Sequence, residues 1–263
     1  MNLIKKIKRL VLANHLKRHK IPLKLWHKTI NKMPILQRYN SRQRMHLRLL
    51  ASEILRTKNL IAVKGMVFSD EIKVMIATQA AVLLFGFESD KEGSGLEWIR
   101  NWQQIIVYPM PFFSGRESFV SPDGILVNQA GFESGETHYQ GGIVIDWDDA
   151  QPHSLKKHAN QVLMHEMAHK LDMLDGDTNG HPPLHADMSE KAWFDAFDNA
   201  FTVLNMQLEK GNEIVINPYA ATNPAEFFAV TTEYFFEAPA VLKSAFPDVY
   251  KQLTMFYKQD PLA

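Results

Sequence analysis

The stretch "QVLMHEMAHKLDMLDG", residues 161–176, decides the fold. Its apolar residues recur at helical spacing, which predicts a buried helix, but His165, Glu166 and His169 interrupt that apolar pattern. Two histidines four residues apart lie on one helix face, with their Cβ atoms about 5–6 Å apart. Both imidazoles can then bind one Zn²⁺, and the adjacent glutamate can act as general base on a water molecule. The stretch therefore predicts a zinc site on a buried helix.

The third zinc ligand lies elsewhere in the chain, because a catalytic zinc needs three protein ligands. Three weaker candidates follow the motif: Asp172, His181 and His185. Glu226 and Glu233 are stronger candidates in a second predicted helix. They are seven residues apart, about 10.5 Å along one face, so only one of them can reach the metal. Glu226 also fits a capping box that begins at Asn223, and the residues alone leave the two glutamates nearly even.

Composition and charge restrict the class of protein. There is no cysteine among the 263 residues, which excludes disulfides, thiolate metal sites and a cysteine nucleophile. Residues 1–52 hold 14 of the 29 lysines and arginines and none of the 29 acids, so the remaining 211 residues have a net charge of about −14. We expect a basic helical segment, residues 1–60, to pack on an acidic domain, residues 61–263. The alternatives are that this segment is a solvated arm or that it binds nucleic acid. Of these, we do not expect direct nucleic-acid binding.

No segment of the sequence predicts export or a membrane span. The N terminus lacks the apolar run of about 7–15 residues that a secretory signal requires. The most apolar segment, "VMIATQAAVLLFGF" at residues 74–87, is too short to span a bilayer at about 20 residues. It predicts a buried core helix with Ser69 as N-cap and Gly86 as its stop. We therefore expect a soluble, cytoplasmic protein.

The order of the remaining elements predicts an α+β fold rather than alternating βαβ units. Predicted strands are "IIVY" at 105–108, "GILVN" at 124–128 and "GGIVIDWDD" at 141–149. Predicted helices run from Ser154 to about Leu174 with Gly176 as terminator, over 190–210, over 224–237 and after Pro247. The last strand precedes the motif helix, and we expect it to be an edge strand that binds a substrate backbone.

Four runs together, "GGIVIDWDDA", "HEMAHKLDMLDG", "PYAATNPAEFFAVTTEYFFEAP" and "FYKQDPL", resemble the Mlc titration factor A family of bacterial zinc metallopeptidases. The resemblance implies a zincin-like metallopeptidase with a small mixed sheet, an HExxH helix and a helical C-terminal part. It also implies a gluzincin ligand set of His165, His169 and Glu226. The family is similar to the catalytic domain of anthrax lethal factor, which places a tyrosine, here Tyr219, near the metal as a donor to the oxyanion.

The implied activity is zinc-dependent, aminopeptidase-type hydrolysis of peptides, with one Zn²⁺ per chain, Glu166 as general base and Tyr219 as a second catalytic residue. The family also binds the repressor Mlc, so the alternative is a largely non-catalytic protein that titrates a transcriptional repressor. One departure concerns the histidines. Many gluzincins have an aspartate three or four residues after the ligand glutamate, where this chain has Ala229 and Val230. The hydrogen-bond partners of the ligand histidines must therefore come from elsewhere in the chain, and Asp172 and Glu233 are the candidates.

Overall fold

The computed structural model describes residues 20–63, 65–89, 95–109, 119–120, 126–127, 141–150 and 162–263. The described helices are α1 (Leu23–Lys32), α2 (Ser41–Thr57), α3 (Asp70–Leu84), α4 (Trp147–Ala150), α5 (Val162–Asp172), α6 (Glu190–Glu209), α7 (Pro224–Glu237), α8 (Pro239–Ala245) and α9 (Pro247–Tyr257). The strands are β1 (Asn59–Ala62), β2 (Gln104–Tyr108), β3 (Phe119–Val120), β4 (Leu126–Val127) and β5 (Ile143–Asp146). This mixture of many helices with few, short strands confirms the predicted α+β class.

The main sheet is parallel, where a mixed sheet was expected. Its strands lie in the order β1–β2–β5, and Ile106 of β2 pairs with Ile61 on one side and Val144 on the other. Helix α3 carries the chain from β1 to β2, so this part of the fold is one βαβ unit within the predicted α+β class. Among the described residues, antiparallel pairing occurs only between β3 and β4.

Helix α3 forms the centre of the hydrophobic core and packs against α1, α2 and α5. Ser69 is its N-cap, as predicted, because the hydroxyl accepts the Ile72 N–H. Gly86 does not end the helix as a left-handed cap. It lies in the 3₁₀ turn Phe85–Ser89, where a Cβ atom would come within 1.9 Å of the Tyr257 carbonyl oxygen. The glycine is therefore needed for close packing of the C-terminal helix.

Residues 20–57 pack onto the same core as the rest of the chain. Trp26 and Thr29 are the buried residues of α1, whereas Leu23 is 54% exposed. Arg48 of α2 donates from its Nε to the Ile21 carbonyl over 2.8 Å. The basic residues 1–19 lie outside the described residues, and the division of the chain at residue 60 stays a prediction.

Helices α5 and α7 lie against each other, and α5 also contacts β5. Gly176, with φ 105°, ends the 3₁₀ turn that follows α5, which confirms the predicted terminator. Ser154, the predicted start of that helix, lies outside the described residues. The contact between α5 and α7 brings together the two helices that carry the candidate ligands. In the described part of the chain, no helix is long and apolar enough to cross a bilayer.

Candidate metal centre

Helix α5 fixes two imidazoles on one face. Its buried residues, among them Leu163, Met167 and Leu171, hold the helix against the core. His165 and His169, one helical turn apart, are only partly buried, with 12% and 14% of their side chains exposed. Their Nε2 atoms lie 3.1 Å apart. The local fold thus brings two nitrogen donors to one point at the surface of the core.

Helix α7 brings a carboxylate to the same point. Asn223 caps the helix, because its Oδ1 accepts the backbone N–H of Glu226 over 2.9 Å. The other half of the expected capping box is not used, since the Glu226 carboxylate turns to the histidines. Glu226 Oε2 lies 3.0 Å from His165 Nε2 and 3.4 Å from His169 Nε2. Of the two glutamates that the sequence left even, Glu226 is therefore the one that faces both Nε2 atoms.

The three converging atoms have the spacing of a metal site. A tetrahedral zinc with bonds of about 2.05 Å sets its ligand atoms about 3.3 Å apart, and the observed separations are 3.0, 3.1 and 3.4 Å. Glu226 Oε2 is buried between the two imidazoles. His165, His169 and Glu226 can together hold one metal ion. Their two imidazoles and one carboxylate are ligands that zinc accepts.

The electrostatics of the cluster favour a positive charge at its centre. Burial lowers the pKa of His165, but hydrogen bonds to Glu226 and Glu233 outweigh burial and raise that pKa to about 10. Burial also acts against the charged form of Glu226, yet hydrogen bonds from His165 and His169 hold the pKa of this carboxyl well below its usual range. Both shifts have one cause, since a carboxylate among buried groups attracts a cation, which is a proton when no metal is bound.

Glu233 holds the outer nitrogen of His165. Its Oε1 accepts the Nδ1–H over 2.7 Å, and its side chain is only 8% exposed. A carboxylate at Nδ1 leaves the Nε2 lone pair free to face a metal, which is a recurrent arrangement in metal sites. Glu233 therefore supports a candidate ligand and is not one of the three residues that converge. The residues alone could not separate these roles, because both glutamates lie on the same face of α7.

Glu166 and Tyr219 flank the three candidate ligands. Glu166 is half-buried on α5, and its charge acts on His165 and Tyr219. The Tyr219 ring lies 6.0 Å from the His165 ring in the 3₁₀ turn Pro218–Ala221. Burial, the charge of Glu226 and a hydrogen bond to Glu226 raise the pKa of Tyr219 to about 12. Its phenol therefore keeps its proton at neutral pH and is a donor beside the cluster.

Lys170 is a residue at this site that the sequence interpretation missed. It follows His169, is 5% exposed, and donates from Nζ to the Gly141 carbonyl over 2.9 Å. This bond ties Gly141, two residues before β5, to the motif helix. Burial lowers the pKa of Lys170 to about 8, against the opposing charge of Glu166. A lysine in the last turn of a mostly apolar helix, four residues after Glu166, was the available signal.

The two loop histidines do not join the cluster. His185 is buried, and its Nε2 donates to the Phe256 carbonyl over 2.7 Å. His181 lines a cavity of about 330 Å³ beside the first turn of α7, together with Phe194, Phe197, Phe201 and Phe227. That cavity includes none of the three candidate ligands in its lining. It is therefore separate from the candidate metal centre, and neither histidine replaces Glu226.

An HExxH helix whose histidines meet a glutamate from a second helix is the arrangement of a metallopeptidase. The model of a protein family described as "Glucose-regulated metallo-peptidase M90" matches residues 5–258. The chain belongs to this family.

Curated relatives support the same assignment and carry a regulatory name. The chain is 34% identical over 243 residues to a Yersinia pestis (strain Pestoides F) protein named "Mlc titration factor A", covering 90% of this chain and 85% of the relative. The Yersinia pseudotuberculosis serotype O:1b (strain IP 31758) protein of the same name has the same identity and coverage. The sequence-based assignment to the Mlc titration factor A family is therefore confirmed.

Proposed function

We propose that this chain is a zinc-dependent peptidase of the aminopeptidase type, with a zincin-like fold and a gluzincin ligand set. One Zn²⁺ would be held by His165, His169 and Glu226. The observation that carries this proposal is the convergence of three lone-pair donors at separations of 3.0–3.4 Å. A metallopeptidase family supports the presence of a metal, and the choice of zinc follows from the nitrogen-rich, cysteine-free ligands.

The hydrolytic step uses Glu166 as general base. Zinc bound at this site supplies Lewis acidity, which polarises the scissile carbonyl and acidifies the attacking water. The Glu166 carboxylate takes a proton from that water as its oxygen bonds to the carbonyl carbon. The same carboxyl then gives the proton to the leaving amine as the C–N bond breaks. Its place beside His165 and Tyr219, within reach of their charges, supports this role.

Tyr219 donates a hydrogen bond from its phenol to the oxyanion that develops on the carbonyl oxygen. A donor that retains its proton at neutral pH is required, and a pKa near 12 meets that requirement. The side chain is 52% exposed, so it can turn from Glu226 towards a substrate. A single donor of this type contributes roughly 10²–10³-fold to turnover.

Strand β5 provides the backbone contacts of a peptide substrate. Among the described strands it lies at one edge of the sheet, next to β2, and it contacts the motif helix. Lys170 fixes Gly141, two residues before this strand, to α5. A peptide added along β5 would run beside His165 and His169, as in recognition by strand addition.

A second function, binding of an Mlc-like transcriptional repressor, is favoured by the name of the relatives. Such a partner implies a cytoplasmic protein. The two functions are compatible, because one can depend on the metal cluster while the other depends on the surface. Titration of the repressor without catalysis is the alternative to the peptidase function.

The test compares wild type with Glu166→Gln and, as a matched control, Glu209→Gln at the exposed end of α6. Purified proteins are loaded with zinc and assayed on aminoacyl chromogenic amides and on the same peptides with blocked N termini. We expect hydrolysis of the free-amine substrates by wild type and control only, with one zinc in all three proteins. Hydrolysis by Glu166→Gln at the wild-type rate would refute the role of Glu166 as general base. Retained repressor binding by Glu166→Gln would show that titration is independent of catalysis.

A further inference from the structure

The two candidate ligand histidines differ at their second ring nitrogen. Both Nε2 atoms face Glu226. The Nδ1 of His165 donates to Glu233, whereas the Nδ1 of His169 is buried without a hydrogen-bond partner in the described part of the chain. A buried polar group without a hydrogen bond destabilises the fold. The His169 ring therefore needs an acceptor that matches the one held by His165.

A buried carboxylate oxygen lies one helical turn further along α5. Asp172 is completely buried, and its Oδ2 accepts the Gly180 N–H over 2.8 Å. Its Oδ1 is buried and has no hydrogen-bond partner among the residues that the structure describes. Residues three apart on a helix are neighbours on its surface. Asp172 is therefore next to His169 on one face of α5, and both unpartnered atoms are buried there.

We infer that Asp172 is a positioning residue whose Oδ1 accepts the Nδ1–H of His169, directly or through one water molecule. The inference rests on the proposed zinc site, because its purpose is to fix the tautomer that leaves the Nε2 lone pair free for the metal. It assigns to His169 the same kind of support that Glu233 gives His165. The aspartate that many gluzincins place after the ligand glutamate is thus replaced by one that follows the motif on its own helix.

The second oxygen of Asp172 links the metal helix to the loop before α6. Gly180, held by Oδ2, has φ 79°, and a Cβ atom there would lie 2.5 Å from the Pro224 carbonyl oxygen. Pro224 begins the helix that carries Glu226. One buried carboxylate therefore connects the His169 ring to a loop that touches the start of the other ligand helix. The experiment must therefore distinguish support of the His169 ring from a purely structural role, in which Asp172 only anchors this loop.

The experiment uses Asp172→Asn, with Asp177→Asn as a matched loss of charge at an exposed position and Gly180→Ala as a disruption of the loop that keeps Asp172. Zinc affinity is measured by competition with a chelator, and the metal-free proteins are compared by thermal unfolding. Long-range ¹H–¹⁵N NMR of the imidazoles reports which nitrogen of His169 carries the proton. In Asp172→Asn the new side-chain amide can donate to Nδ1, which favours the Nε2–H tautomer.

We expect Asp172→Asn to weaken zinc binding about 10–100-fold and to lower the Nδ1–H population of His169. Asp177→Asn should change neither quantity, and Gly180→Ala should leave the His169 tautomer as in wild type. An unchanged tautomer in Asp172→Asn, or zinc affinity within about twofold of wild type, overturns the inference. Failure of wild type to bind zinc would refute the proposed function instead, while the tautomer of His169 would still test the contact with Asp172.

Discussion

This protein has two buried polar sites of opposite composition. One is Lys58, a single cation, and the other is the cluster of His165, His169 and Glu226, whose members can share one cation. Lys58 is 6% exposed, and its Nζ donates to the Ile99 carbonyl over 2.5 Å and also to the Trp102 carbonyl. Nζ also lies 4.4 Å from the centre of the Trp102 ring. A cationic donor is thus surrounded by acceptors and a π face, so this site is complete without a ligand.

The histidine–glutamate cluster has the opposite composition. Two imidazole nitrogens and a carboxylate oxygen face one another within 3.4 Å, and each offers a lone pair. Such a group is stable only with a cation between its members. The comparison teaches that burial of charge does not by itself mark a functional site. What marks it is the convergence of several groups that can each bind one shared cation, and the predictions below test that distinction.

Removal of one ligand should have the largest effect. In His165→Ala the remaining nitrogen and carboxylate no longer surround a metal, so zinc content should fall from one per chain by at least roughly 10-fold and hydrolysis should be lost. Elemental analysis of dialysed protein measures the content. His181→Ala is the matched control, because that histidine lines the separate cavity, and it should keep its zinc. An unchanged zinc content in His165→Ala would show that the zinc is bound by other residues.

Glu166→Gln should separate catalysis from the cluster. The amide cannot accept the proton of the attacking water, so kcat should fall by about 10²–10⁴-fold. Because Glu166 is not among the three converging residues, zinc stoichiometry should stay at one. Steady-state kinetics and metal analysis on the same preparation check both statements. Loss of zinc together with activity would place Glu166 among the ligands and not beside them.

Tyr219→Phe should have a smaller effect confined to turnover. The variant loses one donor to the oxyanion, so kcat should fall about 10²–10³-fold with a modest change in KM. The ring contact with His165 is kept, since phenylalanine retains the aromatic ring. A pH–rate profile and Michaelis kinetics give the measurement. Full activity in the variant would make Tyr219 an ordinary surface aromatic beside the cluster.

Much of the candidate site was predictable because its signals are local. Helical spacing and capping residues predicted α5, α7 and the N-cap Asn223, and these depend on contacts within a few residues along the chain. Whether Glu226 or Glu233 faces the Nε2 atoms depends on how α5 and α7 cross. That crossing is set by core packing between distant segments, so spacing within one helix could not decide it, and the family resemblance did.

The parts of the fold that were missed also depend on distant contacts. Strand β1, Asn59–Ala62, has four residues and directly follows a long helix. It is therefore too short to show the alternation of apolar and polar residues that indicates a strand. Its strand state comes from pairing with β2, more than 40 residues later. The parallel direction of that sheet follows from the crossover through α3.

The smallest effect is expected at Lys58, the buried site that needs no ligand, and it concerns stability alone. Lys58→Met fills a similar volume but leaves two buried carbonyls without their donor, so the protein should lose about 2 kcal/mol of stability at pH 7. Zinc content and turnover should not change. Burial lowers the pKa of Lys58 from 10.5 to about 8 in the folded protein. Between these values the unfolded chain binds more protons than the folded one, so the stability of wild type rises with pH.

The stability difference between wild type and Lys58→Met should therefore widen between pH 8 and pH 10.5, by at most about 3 kcal/mol. Below pH 8 both folded and unfolded wild type keep the proton, and the difference should be flat. Urea unfolding of both proteins at a series of pH values checks this, with Lys210→Met at an exposed position as control. A difference that narrows as pH rises would mean that the carbonyls of Ile99 and Trp102 outweigh burial and favour the charged ammonium. In that case the charged ammonium of Lys58 would stabilise the fold more than the neutral amine does, although both can donate hydrogen bonds to the two carbonyls.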